Sequence, residues 1–493
     1  MDRFCWAALT VAAALAASTD LREGEFTGSD AAAAIVAPAH IGSYAAIVAP
    51  EQIHLSLGKT PDIMTVQWAS DVGTNASALC ASAAHVRYWR GNSSAPPADA
   101  RRAAGACSKF DLNNTQLVMS LYTAALVELA ASTVYSYRVE VDGGNRSEVF
   151  QFAAAPDAET VGTTTFLLYG DMGVDRPHPG YSTDMPLVSK EIIDGRADLV
   201  VHVGDFGYNL DSNRGDTGRR FMNAIQNYSA RAPYMVSLGN HESMYGYAYY
   251  AEFFRGAAAS QTDASRAAWT PTVTTSNGVA PNNFFYSFDY GLTHVVALNG
   301  EVVCAGGDAA MIAAQYAWLE ADLAAANANR SRAPWIIAHS HRPMYCTANG
   351  NCEGPAAAMR GSGNASIEAL FYAYGVDFYF SGHVHNYERL ADVAPGGIST
   401  QTTVDMPATT HVVVGGGGSD EGKLGFHLPN AGNRSLVRLE EFGYGRLVVH
   451  NASHARWQYE CTEAHCAAKP VVDDVWFVQR RHGSFANRTR DSA

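Results

Sequence analysis

Several things this chain lacks narrow what it can be. Beyond Ala17 no stretch approaches the roughly 18 consecutive apolar residues that a bilayer-crossing helix needs, so no transmembrane segment is expected in the body of the chain. Positive charge is scarce: 34 Lys and Arg stand against 48 Asp and Glu, a formal net charge of −14. Such a surface repels a phosphate backbone and argues against nucleic acid as a partner. Small phosphorylated molecules are not excluded, because bound cations can dominate a local field. Among the 8 cysteines no close pair has C-x-x-C spacing, which argues against a thiolate zinc site. The run Gly415–Gly418 is not followed by Lys-Ser/Thr, so it reads as a tight turn and not as a phosphate-binding P-loop.

What is present begins with Met1-Asp2-Arg3 and an apolar run from Phe4 to Ala17. This reads as a secretory signal peptide over residues 1–18, with small residues for cleavage near Ala16–Ser18. Sequons at Asn75, Asn92, Asn113, Asn145, Asn227, Asn329, Asn364, Asn433, Asn451 and Asn487 point the same way, to an N-glycosylated protein that is secreted or lumenal. The pairs Cys346/Cys352, Cys461/Cys466 and Cys80/Cys107 fit disulfides of an oxidising compartment and leave Cys304 odd once Cys5 departs with the leader. Residues 19–49 are Ala-rich and carry Ala-Ala-Ile-Val-Ala-Pro twice, a low-complexity leader or linker. Nothing in the sequence speaks to oligomeric state.

From residue 50 to 156 the pattern is one of short alternating runs separated by Gly, Asn and Pro. Ile53–Leu57, Met64–Trp68, His85–Trp89 and Val134–Val139 are expected strands of a fibronectin-III-like all-β sandwich. From about residue 160 to 490 apolar strands alternate with helical stretches at Met185–Ile193, Arg219–Asn227 and Ala309–Ala326, which implies a layered α/β core. Leu447–His450 and Val475–Val478 read as strands returning to that core, not as a further domain. His202 and His294, inside apolar strands, are expected to be satisfied core residues.

The chemistry gathers at the carboxyl ends of five expected strands, where ligand sites form in such sheets. Asp171-Met172-Gly173 follows Thr165–Tyr169, and Gly204-Asp205-Phe206-Gly207-Tyr208 follows Leu199–Val203. Gly239-Asn240-His241-Glu242 follows Pro233–Leu238, His339-Ser340-His341-Arg342-Pro343 follows Trp335–Ala338, and Gly382-His383-Val384-His385 follows Val376–Phe380. Five strand ends that each deliver Asp, Asn, His or Tyr look like one metal site. Asp171 and Asp205 are hard donors, and Asp205 can bridge two cations. A tyrosinate at Tyr208 needs a strong Lewis acid, because the free phenol ionises only near pH ~10. Asn240 supplies a neutral amide oxygen, while His341, His383 and His385 supply nitrogens suited to a borderline divalent ion. Mixed donors of this kind argue for two unlike metals.

This ordered series, extended by Met344-Tyr345 and Asn386-Tyr387-Glu388-Arg389, resembles the purple acid phosphatases among the calcineurin-like metallophosphoesterases. The similarity takes in the N-terminal sandwich, Tyr444–Leu447 and Val472–Asp474, from about residue 50 to 485. It implies a metallophosphoesterase core, a layered β-sandwich flanked by helices. It also implies Fe(III) on Asp171, Asp205, Tyr208 and His385, with a divalent Zn, Mn or Fe on Asp205, Asn240, His341 and His383. His341 is the implied ligand because the family places it just before the x-Pro step, which leaves His339 as a substrate-facing candidate. The implied activity is secreted hydrolysis of phosphomonoesters, and of phosphoanhydrides at its widest. A metal-carried hydroxide would attack phosphorus while His241 protonates the leaving group. In one departure from relatives, the loop Cys346–Glu353 holds no histidine, which throws more of that protonation onto His241. A phosphodiesterase on the same scaffold and an adhesion protein with an inert metal domain are the alternatives.

Overall fold

The computed structural model describes residues 49–73, 79–111, 117–159, 162–174, 184–260, 274–275, 278–279, 282–348, 352, 354–361 and 366–488. The expected signal peptide, nearly all of the linker, and the sequons at Asn75, Asn113 and Asn364 lie outside these residues.

The N-terminal part is two four-stranded antiparallel sheets. One runs Glu51–Leu57, Met64–Gly73, Val118–Leu126, Ala106–Phe110, and the other Arg101–Ala104, Ala84–Arg90, Val134–Val141, Phe150–Ala153. Alternation along each strand turns one row inward, where Trp68 stacks on Tyr122 with ring centroids 5.3 Å apart. The Cys80–Cys107 disulfide belongs to this part.

The larger part is built on two mixed sheets. In the first, Tyr234–Val236, Leu199–His202 and Thr164–Tyr169 pair in parallel. Gly443–Val449, His454–Cys461 and Val471–Val478 then continue it antiparallel, so the C-terminal strands do return to the core. In the second, Thr293–Ala297, Trp335–His339, Phe378–Ser381 and Thr409–Val414 are parallel, with Tyr286–Tyr290 antiparallel at one edge and Tyr387–Ala394 antiparallel beyond the other. The parallel strands are buried throughout, as their largely apolar sequences require. Helices Met185–Ile193, Asp216–Ser229 and Ala309–Ala328 cover them. The last begins where the Asp308 carboxylate accepts from the Ala310 and Met311 amides, a helix cap.

The sandwich is held against the Asp216–Ser229 helix. Arg219 grips Glu51 through Nε at 2.8 Å and Nη2 at 2.9 Å. The amides of Gln52 and Ile53 donate to Asn223 and Gln226 of the same helix at 3.1 and 2.8 Å. Tyr137 adds a hydrogen bond to the Ala230 carbonyl at 2.8 Å. Cys346–Cys352 and Cys461–Cys466 are bonded, and Cys304 is buried and in no disulfide among the described residues. His202 is fully buried with Nδ1 2.5 Å from the Tyr234 hydroxyl. His294 sits between Asp289 at 2.7 Å and Asp322 at 3.0 Å.

Candidate metal centre

All of the strand ends singled out in the sequence open at one place. Donor atoms of Asp171, Asp205 and His385 lie within 4.8 Å of one another, and so do those of Asp205, His341 and His383. Asp205 belongs to both groups. Tyr208 joins the first, its hydroxyl 3.0 Å from His385 Nε2. Asn240 joins the second, its Oδ1 3.2 Å from His341 Nε2. Asp205 Oδ2 itself approaches His341 Nε2 to 3.0 Å, and Asp171 Oδ1 approaches His385 Nε2 to 3.4 Å.

The backbone is bent hard to achieve this. Asp171, Asp205, Tyr208 and His383 all have left-handed φ, at 61°, 59°, 47° and 68°. Each such residue costs about 1–2 kcal/mol, and strain of this kind persists where surrounding structure enforces it. The turns are possible because glycines flank them. A Cβ at Gly239 would strike the Asp205 carboxylate, and one at Gly382 the Asp171 carboxylate.

Two of the imidazoles are oriented by the backbone. Nδ1 of His341 donates to the Val203 carbonyl and Nδ1 of His385 to the Gly422 carbonyl, both at 2.9 Å, so each Nε2 faces the cluster. Although burial lowers both, Asp205 and Asp171 raise His341 to about 10, and Asp171 and Asp205 raise His385, so the carboxylates favour a proton on each Nε2 in the place a bound cation would take. His383 is held neutral by its burial and by the neighbouring Arg342 and His341, with Arg342 Nη1 2.5 Å from its Nε2. Burial would raise the Asp205 carboxyl, yet His341 and His241 beside it hold it far below the usual carboxylate range. Burial, then Asp171 and Asp205, push the Tyr208 phenol well above its ordinary value, so only a strongly Lewis-acidic ion would ionise it. Two converging buried carboxylates with ring nitrogens turned inward make a donor set that fits two cations.

His241 stands at the edge, partly open. Its amide donates to Asp205 Oδ1 at 3.0 Å and its Nδ1 faces Asn209 Oδ1 at 2.8 Å. Its Nε2 lies 3.5 Å from Glu421 and 3.9 Å from Asp205. His339 is placed differently. It is buried within its strand with Nδ1 3.2 Å from Ser237 Oγ, and it is in neither donor group.

Three further residues, none of them a metal donor, complete the surroundings of the centre. Glu242 is buried and accepts the amides of Asp205, Phe206 and Gly239 at 3.0, 2.9 and 2.7 Å, clamping two strand ends together. Its only sequence signal is its place two residues after Asn240. Asn209 directly follows Tyr208, and its left-handed φ of 84° is tolerable for asparagine. Glu421 comes from the loop after the glycine run and gave no signal.

Comparison with known proteins accords with this geometry. Residues 164–387 match the calcineurin-like phosphoesterase family, which defines the core as a metallophosphoesterase. Residues 50–154 match the purple acid phosphatase N-terminal domain, and 408–461 the iron/zinc purple acid phosphatase-like protein C. The chain is 31% identical to human acid phosphatase type 7 over 88% of its length and 92% of the relative's. It is 30% identical to purple acid phosphatase 22 of Arabidopsis thaliana, over 71% of its length and 70% of that protein's. A solved purple acid phosphatase from yellow lupin seeds shares the fold at a TM-score of 0.66 and 24% identity, over 87% of this chain and 74% of that one. The chain belongs to the purple acid phosphatase family.

Proposed function

We propose that the protein is an acid phosphatase that hydrolyses phosphomonoesters at a two-metal centre. Fe(III) is assigned to Asp171, Asp205, Tyr208 and His385, and a divalent Zn, Mn or Fe to Asp205, Asn240, His341 and His383. The observation that carries this reading is the pair of donor groups sharing Asp205. When bound, the two cations supply the Lewis acidity that generates a nucleophile from water and neutralises charge growing on phosphorus.

The chain's own groups do the rest. Glu242 fixes the Asp205 and Gly239 backbones, so that the shared carboxylate and the Asn240 amide hold one geometry. Asn209 keeps a proton on His241 Nδ1 and turns Nε2 toward the opening. Protonated at Nε2, where Glu421 and Asp205 face it, His241 gives that proton to the leaving oxygen. Hydrogen bonds from strand-end amides to Glu242 and Asp171 hold the donors in place before any ligand arrives, a preorganised arrangement.

Secretion, or residence in a lumen, is part of the proposal. The seven sequon asparagines among the described residues are all exposed. Three disulfides fit an oxidising compartment. No described helix is long and apolar enough to cross a membrane.

Metal analysis with a visible spectrum tests the assignment. Wild-type protein is expected to contain iron and to show a tyrosinate-to-Fe(III) band that Tyr208→Phe lacks. A colourless wild-type protein holding zinc alone would remove Fe(III) from the site.

A further inference from the structure

Away from the metal centre, a cavity of about 610 Å³ opens beside the segment that follows His341. Its wall is built on Tyr345. The guanidinium groups of Arg360 and Arg434 both lie over that ring, 4.8 and 5.2 Å from its centroid, and both line the cavity. Arg360 also donates to the Met344 carbonyl. Arg434 donates through Nε to the Ala431 carbonyl at 3.0 Å, and its other N–H groups make no hydrogen bond among the described residues. Gly397, at φ 79°, leaves room for it: a Cβ there would sit 2.9 Å from Arg434 Nη1. One carboxylate, Glu368, lines the space and accepts from the Tyr345 hydroxyl. Leu428 and Pro429 add an apolar side.

A second observation gives the sign of the local field. His411, 2% exposed, meets the Tyr345 ring edge-on at 5.1 Å, and neither ring nitrogen has a hydrogen-bond partner among the described residues. Burial, then Arg360 and Arg434, bring it down to about 3. Both arginines therefore project positive potential into this region.

We propose that this cavity is a second binding site, for the phosphoryl group of a small phosphomonoester or of free phosphate. Two planar guanidinium forks on one ring match an anion with several terminal oxygens. The volume is that of a small-molecule site and exceeds a bare ion. The cavity shares no lining residue with the metal donors, yet its wall is tied to them. Tyr345 is four residues past His341, and Glu388, three past His385, accepts from the Thr347 amide at 2.8 Å and hydroxyl at 2.5 Å. A ligand here therefore bears on two of the loops that form the centre.

Equilibrium dialysis with glycerol 2-phosphate and with inorganic phosphate tests the site in an Asn240→Ala background, where the ester is expected to survive. Adding Arg434→Gln, or Ala431→Glu at the exposed cavity rim, is expected to weaken one class of binding roughly ten- to hundredfold. Weakening of both ligands alike assigns the phosphoryl group alone, and a larger effect on the ester brings in Leu428 and Pro429. If both double variants keep their circular dichroism and bind both ligands as the single variant does, the second site does not exist. The readout is binding and not turnover, so failure of the phosphatase reading would leave it standing.

Discussion

In the proposed reaction, His241 is the residue on which the second half turns. Its Nδ1 is held by a neutral amide and its Nε2 looks out between Glu421 and Asp205. A proton donor matters most when the departing oxygen is basic. His241→Ala should therefore slow alkyl phosphates by on the order of a hundredfold or more, while p-nitrophenyl phosphate, whose leaving group departs unprotonated, should lose far less. Equal losses on both substrates, measured as kcat/KM, would take the proton-donor role away. The neighbouring Glu242 shows where residue-level reading of a sequence stops. Asp, Asn and His after apolar runs announce themselves by their chemistry. A glutamate that acts only by gripping three amides looks like any acidic residue until the backbone is seen. Glu421 is further from reach still, because no local pattern ties a loop after a glycine run to a histidine early in the chain.

Among the elements, the buried strands were the most legible, since parallel strands covered on both faces read as apolar runs stopped by glycine. Their lengths were less so. The run Pro233–Leu238 yields only the three-residue strand Tyr234–Val236, because pairing with Leu199–His202 ends before the chain turns to Asn240. The expected helix Arg219–Asn227 extends to Asp216–Ser229, three residues earlier and two later, and the added Ser229 donates through Oγ to the Ile53 carbonyl of the sandwich at 3.4 Å. His294 joins the Thr293–Ala297 strand to the Ala309–Ala328 helix by its bond to Asp322. Although burial lowers it, Asp322 and Asp289 raise it from 6.5 to about 10. The folded chain thus holds a proton the unfolded chain releases. This stabilisation is complete below about pH 6.5 and disappears as pH rises toward 10. His294→Leu should lower stability near neutral pH by roughly 2–3 kcal/mol, discounted for the half-exposed Asp289. Its melting temperature should also fall less than the wild-type value between pH 7 and 9. Parallel declines in the two proteins would contradict the pairing.

For the whole molecule, the two-part organisation was legible as a change of pattern near residue 156, but the dependence of one part on the other was not. Nothing in Glu51, Gln52 or Ile53 says that they will close over Asn223, Gln226 and Arg219. With that much polar and apolar surface held in common, scanning calorimetry should show one cooperative transition for residues 50–485. Two separated transitions would mean that the sandwich is only tethered.

The twisted strand ends carry a consequence for anyone seeking a hardier version of this protein. A glycine in place of Asp171 relaxes a left-handed backbone, but it leaves the His383 amide, which donates to that carboxylate at 2.9 Å, without its acceptor. Asp171→Gly should therefore give a catalytically dead chain that, compared with wild type after both are stripped by chelator, melts no higher. The bent backbone and its carboxylate form one unit, and neither can be engineered away without the other.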